Sequence, residues 1–150
     1  MRILVSACLL GRNCKYSGGH NRNDAVIEFL KGHEIIPVCP EVEAGLPVPR
    51  PPVELLHGRV IRNDGKDVDA LYRKGVEKVL ARMGHVDLAI LKAKSPTCGV
   101  HEIYDGTFTG KKIKGQGILA AALARRHIPL LDEKDIEMKN FNTNGGVSKF

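Results

Sequence analysis

Two patterns of apolar residues alternate along this chain. Short apolar runs predict buried strands, and apolar residues at spacings of three and four predict amphipathic helices. The predicted strands cover residues 3–5, 34–38, 87–92 and 128–131, and the predicted helices cover residues 25–31, 68–83 and 118–126. Strands that alternate with helices in this way are typical of an α/β fold. We therefore predict a single three-layer domain, Rossmann-like, with a mostly parallel sheet of about four strands.

The segments outside this pattern are predicted to be irregular. Residues 40–58 contain five prolines and are predicted to form an ordered, extended loop, after which residues 59–62 pair weakly with a neighbour. Residues 139–150 have little apolar periodicity and predict a loose end. The sequence thus predicts one domain over residues 1–133, followed by a C-terminal tail over residues 134–150.

Composition narrows the class of protein. Hydrophobic residues make up 43% and charged residues 27%, which is typical of a globular protein. No apolar run approaches the roughly 18 residues that a membrane span needs, so we expect no membrane association. The N-terminus is interpreted as a first buried strand and not as a signal peptide, which predicts a cytoplasmic protein. Four cysteines in 150 residues are too few for a disulfide framework.

Three of the cysteines follow predicted strands. Cys8, Cys39 and Cys98 come after the first, second and third strands, so a parallel sheet would bring them to its carboxyl edge. Three thiolates there could bind zinc or an iron–sulfur cluster, and the alternative is that they are small buried hydrophobic residues. Cys14 could be a fourth ligand, a redox-active thiol or a packing residue. The CxxC pairs typical of structural zinc sites are absent.

Several polar residues lie close to these cysteines in sequence. Glu41 is two residues after Cys39, and Ser95 and Thr97 precede Cys98. A carboxylate beside a metal can be a ligand or carry a proton, and a serine can orient substrate or relay a proton. His20 and His101 are also near cysteine loops, but the histidines show no metal-binding spacing.

The net charge of +6 permits an anionic partner. The basic, glycine-rich run GKKIKGQG at 110–117 precedes a predicted helix, whose N-terminus could hold an anion; a mobile surface loop is the alternative. Aromatic residues amount to only 5%, which argues against a nucleic-acid surface built from stacking platforms.

Four motifs in order resemble the 2-thiouracil desulfurase (thiouracil desulfidase) family. The motifs are VSACLLGRNCKYSGG, PVCPEVEAGLPVPRPPVEL, LKAKSPTCG and YDGTFTG, and the resemblance runs from residue 1 to about residue 133. It implies an α/β domain with a [4Fe-4S] cluster that is held by three cysteines and has one open iron site. Carried onto this sequence, the ligands are Cys8, Cys39 and Cys98.

The resemblance also implies the catalytic residues. It places a catalytic serine at Ser95 and a catalytic acid in the segment around Glu41, whereas Thr97 stands where relatives have a second serine. An iron with an open coordination position is a soft Lewis acid and would bind a thiocarbonyl sulfur. That binding would polarise the thiocarbonyl carbon towards attack by water. Because four protein ligands would close the open position, Cys14 is not expected to bind the cluster.

The predicted function is therefore a non-redox, hydrolytic desulfurase that releases sulfide from 2-thiouracil or a related thiolated pyrimidine, a small-molecule substrate. Two alternatives stay open at this point. One is a non-catalytic zinc-binding module held by the cysteines. The other is a desulfurase that acts on thiolated tRNA, for which the chain shows no evident RNA-binding domain.

Overall fold

The computed structural model describes the backbone of residues 1–144 and the side chains of residues 1–138. In chain order the elements are β1 (Arg2–Ser6), a 3₁₀ helix (Ala7–Leu10), α1 (Asp24–Leu30), β2 (Glu34–Val38), α2 (Pro40–Glu43), β3 (Val53–Leu56), β4 (Arg59–Arg62), α3 (Asp69–Arg82), β5 (Leu88–Leu91), β6 (Glu102–Tyr104), β7 (Lys112–Lys114), α4 (Ile118–Arg125), β8 (Leu130–Asp132) and α5 (Glu133–Asn144).

A four-stranded sheet forms the centre of the fold. Its strand order is β2-β1-β5-β8, and all neighbouring pairs are parallel. Leu4 in β1 pairs with Ile36 in β2 on one side and with Ala89 in β5 on the other. Two antiparallel hairpins, β3–β4 and β6–β7, lie outside this sheet. The parallel α/β fold predicted from the sequence is confirmed.

Side chains that alternate along the strands build two separate cores. Leu4 faces a core that contains Val76 of α3 and Leu119 of α4. Its neighbour Ile3 faces the opposite core, with Val26 of α1. Because successive residues of a strand point to opposite faces, a sheet with two apolar faces needs helices on both sides. The three predicted layers follow directly from this alternation.

The prediction for residues 40–58 is wrong at both ends. Pro40 is the first residue of helix α2. A proline is favourable there, because the N–H that it lacks would have no partner within the helix and its fixed φ is helical. Further on, β3 pairs in register with β4, with Leu55 opposite Val60, and both of these side chains are buried. The prolines therefore flank short regular elements and do not keep the whole segment extended.

The prediction for the C-terminal end also needs correction. Residues 139–144 continue α5, and only residues 145–150 of the predicted loose end lie outside the described residues. Among its described side chains, residues 133–138, Ile136 is fully buried and Glu137 accepts a hydrogen bond from Asn23, and both contacts fix the helix. The sequence pattern missed this helix because residues 139–150 show little apolar periodicity. None of the described helices is long and apolar enough to cross a membrane.

Candidate active site

The three cysteines that follow strands meet at one edge of the sheet. β1 runs into the 3₁₀ helix that carries Cys8, and Cys39 is the residue between β2 and α2. Cys98 lies in the loop after β5. Because these three strands are parallel neighbours, their carboxyl ends lie side by side. This places three thiols from distant parts of the sequence at the same edge.

A cavity of about 660 Å³ opens at this edge. The five residues that the sequence analysis assigned to the site all line it: Cys8, Cys39, Cys98, Glu41 and Ser95. Cys14 and Thr97 line it as well. The cavity is also bordered by the second hairpin through Tyr104 and Phe108. Its walls thus combine thiols, two carboxylates (Glu41 and Glu54), three aliphatic hydroxyls (Ser6, Ser95 and Thr97) and aromatic rings.

Cys14 interacts directly with two of the strand-end cysteines. Its thiol hydrogen-bonds with the sulfurs of Cys8 and Cys39, which raises the pKa of Cys14 and lowers that of Cys8 to about 7. The same hydrogen bond holds the pKa of Cys39 below its usual range. The Cys39 thiol also donates to the Cys14 carbonyl at 3.7 Å, so Cys14 contacts both strand-end cysteines and links them at the cavity.

Cys98 is held by a compact turn. The Ser95 hydroxyl oxygen accepts hydrogen bonds from the backbone N–H of Thr97 at 3.1 Å and of Cys98 at 3.0 Å. Since both lone pairs of Ser95 are engaged, its remaining polar function is its proton, which can go to Thr97 Oγ1 at 3.0 Å or to a ligand. Burial raises the pKa of the Cys98 thiol.

The turn that carries Cys98 rests on the N-terminus of α4. The backbone N–H groups of Ile118 and Leu119 donate to the carbonyls of Pro96 and Thr97 at 3.0 and 2.8 Å. These are the orphan donors that a helix start would offer to an anion. The anion site considered for residues 110–117 is therefore wrong, because the helix amides already fix the Cys98 loop. Part of that segment is instead strand β7.

Glu41 is largely buried and incompletely paired. Its Oε2 lies 3.4 Å from Arg50 Nη2, and the side chain is only 15% exposed. Its Oε1 is buried with no hydrogen-bond partner among the described residues. Burial raises the pKa of Glu41, and the nearby Thr97 hydroxyl and Arg50 guanidinium oppose that shift. A buried acceptor without a partner, beside a cavity, is a group available to a ligand or a water molecule.

The sequence analysis missed Arg50 and two other residues that support the site. Arg50 is buried and donates to the Cys14 carbonyl at 2.9 Å, so it ties Glu41 to the Cys14 loop. Asn21 Nδ2 donates to Cys8 Sγ at 3.5 Å. Lys92 Nζ lies 2.8 Å from Glu133 and lowers the pKa of Cys8. An arginine within a proline-rich segment next to a cysteine motif was the one available sequence signal.

His20 and His101 do not line the cavity. His20 Nδ1 accepts from the backbone N–H of Arg22, which is a local turn contact. His101 lies 2.8 Å from Asp135, and these two with Asp132 are the one His/Cys/Asp/Glu group within 4.8 Å of one another among the described residues. Asp132 and Asp135 accept each other's backbone N–H groups and so cap α5, which explains this cluster structurally.

The fold and the site define an α/β domain with a thiol-lined cavity at the carboxyl edge of a parallel sheet. Residues 3–135 match the family model of 2-thiouracil desulfurase. The chain therefore belongs to the 2-thiouracil desulfurase family, and the family predicted from the four motifs is confirmed.

Two similar proteins extend this comparison. The chain is 35% identical over 146 residues to the uncharacterized protein YbbK of Bacillus subtilis, covering 89% of this chain and 97% of that protein. A solved structure of the [4Fe-4S]-dependent thiouracil desulfidase TudS matches with a TM-score of 0.77 and 36% identity. That match covers 95% of this chain and 97% of the TudS chain.

Proposed function

We propose that this protein is a [4Fe-4S]-dependent desulfidase that removes sulfur, as sulfide, from 2-thiouracil or a related thiolated pyrimidine. Family membership and the similarity to a desulfidase of this cofactor class support the activity and the cluster. The observation that carries the proposal is the single cavity that holds four thiols, a buried carboxylate with a free oxygen, and a serine hydroxyl. The substrate is a free small molecule, and the protein acts in the cytoplasm.

The donor set of the cavity suits a cluster. Cys8, Cys39 and Cys98 would hold it, because thiolates are the ligands of iron–sulfur clusters. Lys92 and Arg50 place two positive charges beside this negatively charged thiolate group. When bound, the cluster supplies a soft Lewis acid with one open iron position, which suits a thiocarbonyl sulfur.

The described thiols do not form a preorganised three-cysteine zinc site. In a tetrahedral zinc site the sulfurs lie about 3.8 Å apart, because each Zn–S bond is about 2.3 Å long. Among the described residues, no three cysteine sulfurs come within 4.8 Å of one another. Cys14 stays outside the ligand set in this proposal, because a fourth protein ligand would close the open iron position.

Glu41 and Ser95 carry the proton transfers. A water molecule in the cavity attacks the thiocarbonyl carbon, and the free Oε1 of Glu41 takes its proton. Ser95 donates its hydroxyl proton towards a ring nitrogen of the substrate, since its lone pairs are occupied by backbone N–H groups. A C–O bond forms, the C–S bond breaks, and sulfur leaves as sulfide. Thiocarbonyl and carbonyl carbons have the same oxidation level, so no electrons are transferred.

The test is metal analysis of anaerobically purified protein together with sulfide release from 2-thiouracil. The proposal expects a brown sample that contains iron and acid-labile sulfide and that converts 2-thiouracil to uracil. Colourless protein with stoichiometric zinc would contradict it and favour the metal-binding module. Release of sulfide from thiolated tRNA, with none from free thiouracil, would favour the tRNA alternative.

Variants of the two proton-transfer residues test their roles. Ser95→Ala and Glu41→Ala should keep their iron and lower kcat by roughly 10²–10⁴-fold, the range for a positioned proton-transfer group. Glu43→Gln is the matched control, because Glu43 lies on the same helix α2 but pairs with Arg82 outside the cavity. The control should keep wild-type turnover. Loss of iron in Glu41→Ala would make Glu41 a ligand and contradict its assigned role.

A further inference from the structure

Aromatic side chains are concentrated at the cavity. The chain has four phenylalanines and three tyrosines, and all three tyrosines together with Phe108 line this one cavity. Tyr72 is buried in the core beneath it. Tyr104 and Phe108 are half-buried and belong to the segment YDGTFTG, for which the proposed chemistry has so far given no role.

Phe108 has an unusual backbone conformation. Its φ of +59° lies in the left-handed region, which bulky residues rarely adopt. Glu54 of β3 holds it there, because a single oxygen, Oε1, accepts from the backbone N–H of Gly106 at 3.0 Å and of Phe108 at 3.1 Å. Strained residues persist only where the surrounding structure fixes them, and such residues cluster at ligand sites.

The turn that carries Phe108 is rigid on both sides. A Cβ at Gly106 would come within 2.7 Å of Leu56 Cβ, so the turn lies directly against β3 and requires glycine there. Within the turn, the Asp105 carboxylate accepts from the backbone N–H and the hydroxyl of Thr107 at 2.9 and 2.6 Å. The Phe108 ring is therefore held at the cavity wall by fixed backbone and not by a loose loop.

A thiolated pyrimidine presents two different surfaces. Its polar edge, with ring nitrogens and the thiocarbonyl, matches the Ser95 and Glu41 side of the cavity. The two flat faces of the pyrimidine ring have no polar group that Ser95 or Glu41 can bind. These faces pack best against an apolar or aromatic surface. We propose that Phe108 stacks on the pyrimidine face and so determines specificity for planar heterocyclic thiones, with Glu54 as the residue that positions it. This inference rests on the proposed function, whose substrate class it deepens.

The experiment compares Phe108→Leu with wild-type holoenzyme purified anaerobically. Kinetics of sulfide release give KM and kcat for 2-thiouracil, and calorimetric titration gives the affinity for the product uracil. Because stacking acts on substrate and product alike, KM and the uracil Kd should both rise about 5- to 100-fold. The value of kcat should stay within about threefold, since the interaction is not specific to the transition state. Phe108→Tyr, which retains a ring, should restore both constants.

Glu54 is tested by its own pair of variants. Glu54→Ala removes the acceptor of both N–H groups and should raise KM and the uracil Kd in the same way. Glu54→Gln keeps an oxygen that can accept both and should retain values near wild type. Ile113→Ala is the control, because Ile113 is an exposed residue of the same hairpin and does not line the cavity.

The outcomes separate the two proposals. Unchanged uracil affinity and KM in Phe108→Leu, or a loss confined to kcat, would overturn the stacking role. A Glu54→Gln protein as impaired as Glu54→Ala would overturn the positioning role. Wild-type protein that binds uracil but releases no sulfide would overturn the proposed function, while the titration of Phe108→Leu still decides the stacking. Wild-type protein that does neither would overturn both.

Discussion

The amino edge and the carboxyl edge of the central sheet differ in how their polar groups are paired. At the amino edge, Arg2 at the start of β1 contacts Glu34 at the start of β2 at 2.7 Å. The same guanidinium donates to the Met83 carbonyl at 2.8 Å, and the Arg2 backbone N–H donates to Asp87 at 2.8 Å. The polar groups there find partners within the protein, close to solvent.

At the carboxyl edge, polar groups are buried and only partly satisfied. Among the described residues, Glu41 keeps one oxygen without a partner. Arg50 is buried and makes a long contact of 3.4 Å to the other Glu41 oxygen, and four thiols line the same cavity. Native structures leave few buried polar groups unpaired, and those few occur where a ligand binds. The polar groups of the amino edge therefore stabilise the contacts between strands, whereas those of the carboxyl edge remain available to a ligand.

The largest expected effect separates the cysteines of the carboxyl edge from one another. Cys8→Ser, Cys39→Ser and Cys98→Ser should each lose most of the iron, because each removes one of the three proposed protein ligands. Cys14→Ser should retain iron and sulfide close to wild type. The measurement is iron and acid-labile sulfide per chain in the four variants, purified anaerobically under identical conditions.

Cys14→Ser is the matched control in this series, because it removes a thiol of the same loop as Cys8. If Cys14→Ser lost iron as completely as the other three, the cluster would have four protein ligands. The open position would then not exist, and the desulfidase mechanism would have to be abandoned.

A smaller effect is expected on stability when one ion pair is broken at each edge of the sheet. Arg50→Met leaves Glu41 buried without its cation and should cost about 3–5 kcal/mol of unfolding free energy. That loss corresponds to a fall in Tm of about 6–20 °C. Glu34→Gln breaks the exposed pair with Arg2, and such surface pairs contribute at most about 1 kcal/mol. Thermal unfolding of both variants, followed by circular dichroism, checks this; equal shifts in Tm would remove the contrast between the edges.

The smallest effect concerns His101, an exposed residue beyond the carboxyl edge. The hydrogen bond to Asp135 raises the pKa of His101, with further attraction from Asp132 and Glu102. The stabilisation is therefore complete below the pKa of unfolded histidine and is lost as pH rises through the raised pKa of the folded state. His101→Gln should lower Tm by about 1–3 °C at pH 6 and by less at pH 8.5. A larger loss at the higher pH would contradict this sign.

Sequence motifs were enough to identify the family and to predict residues that the fold brings to one cavity. Cys8, Cys39 and Cys98 each follow a run of buried apolar residues, and such runs mark strands whose ends meet when the sheet is parallel. Glu41 lies two residues from Cys39 and Ser95 three residues from Cys98, so the local sequence keeps these groups together. The family is confirmed, and the predicted cluster and enzyme class agree with the similarity to the desulfidase TudS.

The hairpins and the helix ends could not be predicted in the same way. Strands β6 and β7 have three residues each, which is too short for a pattern of alternation, and they exist because they pair with each other. From the sequence, the backbone amides at the start of α4 could have bound an anion. Only the folded chain shows that the loop of Cys98 occupies them.

The sequence by itself therefore determined the parallel α/β core and the family, and it predicted the thiols, acid and hydroxyl that the structure brings to one cavity. The tertiary structure decided what surrounds them: Arg50 against Glu41, Cys14 between two thiols, and Phe108 held at the cavity wall by Glu54. The physical reason is the range of the interactions involved. Periodicity and motifs record contacts between residues that are close in sequence. The pairing of Glu54 with Phe108 joins residues that only the packing of two hairpins brings within hydrogen-bonding distance.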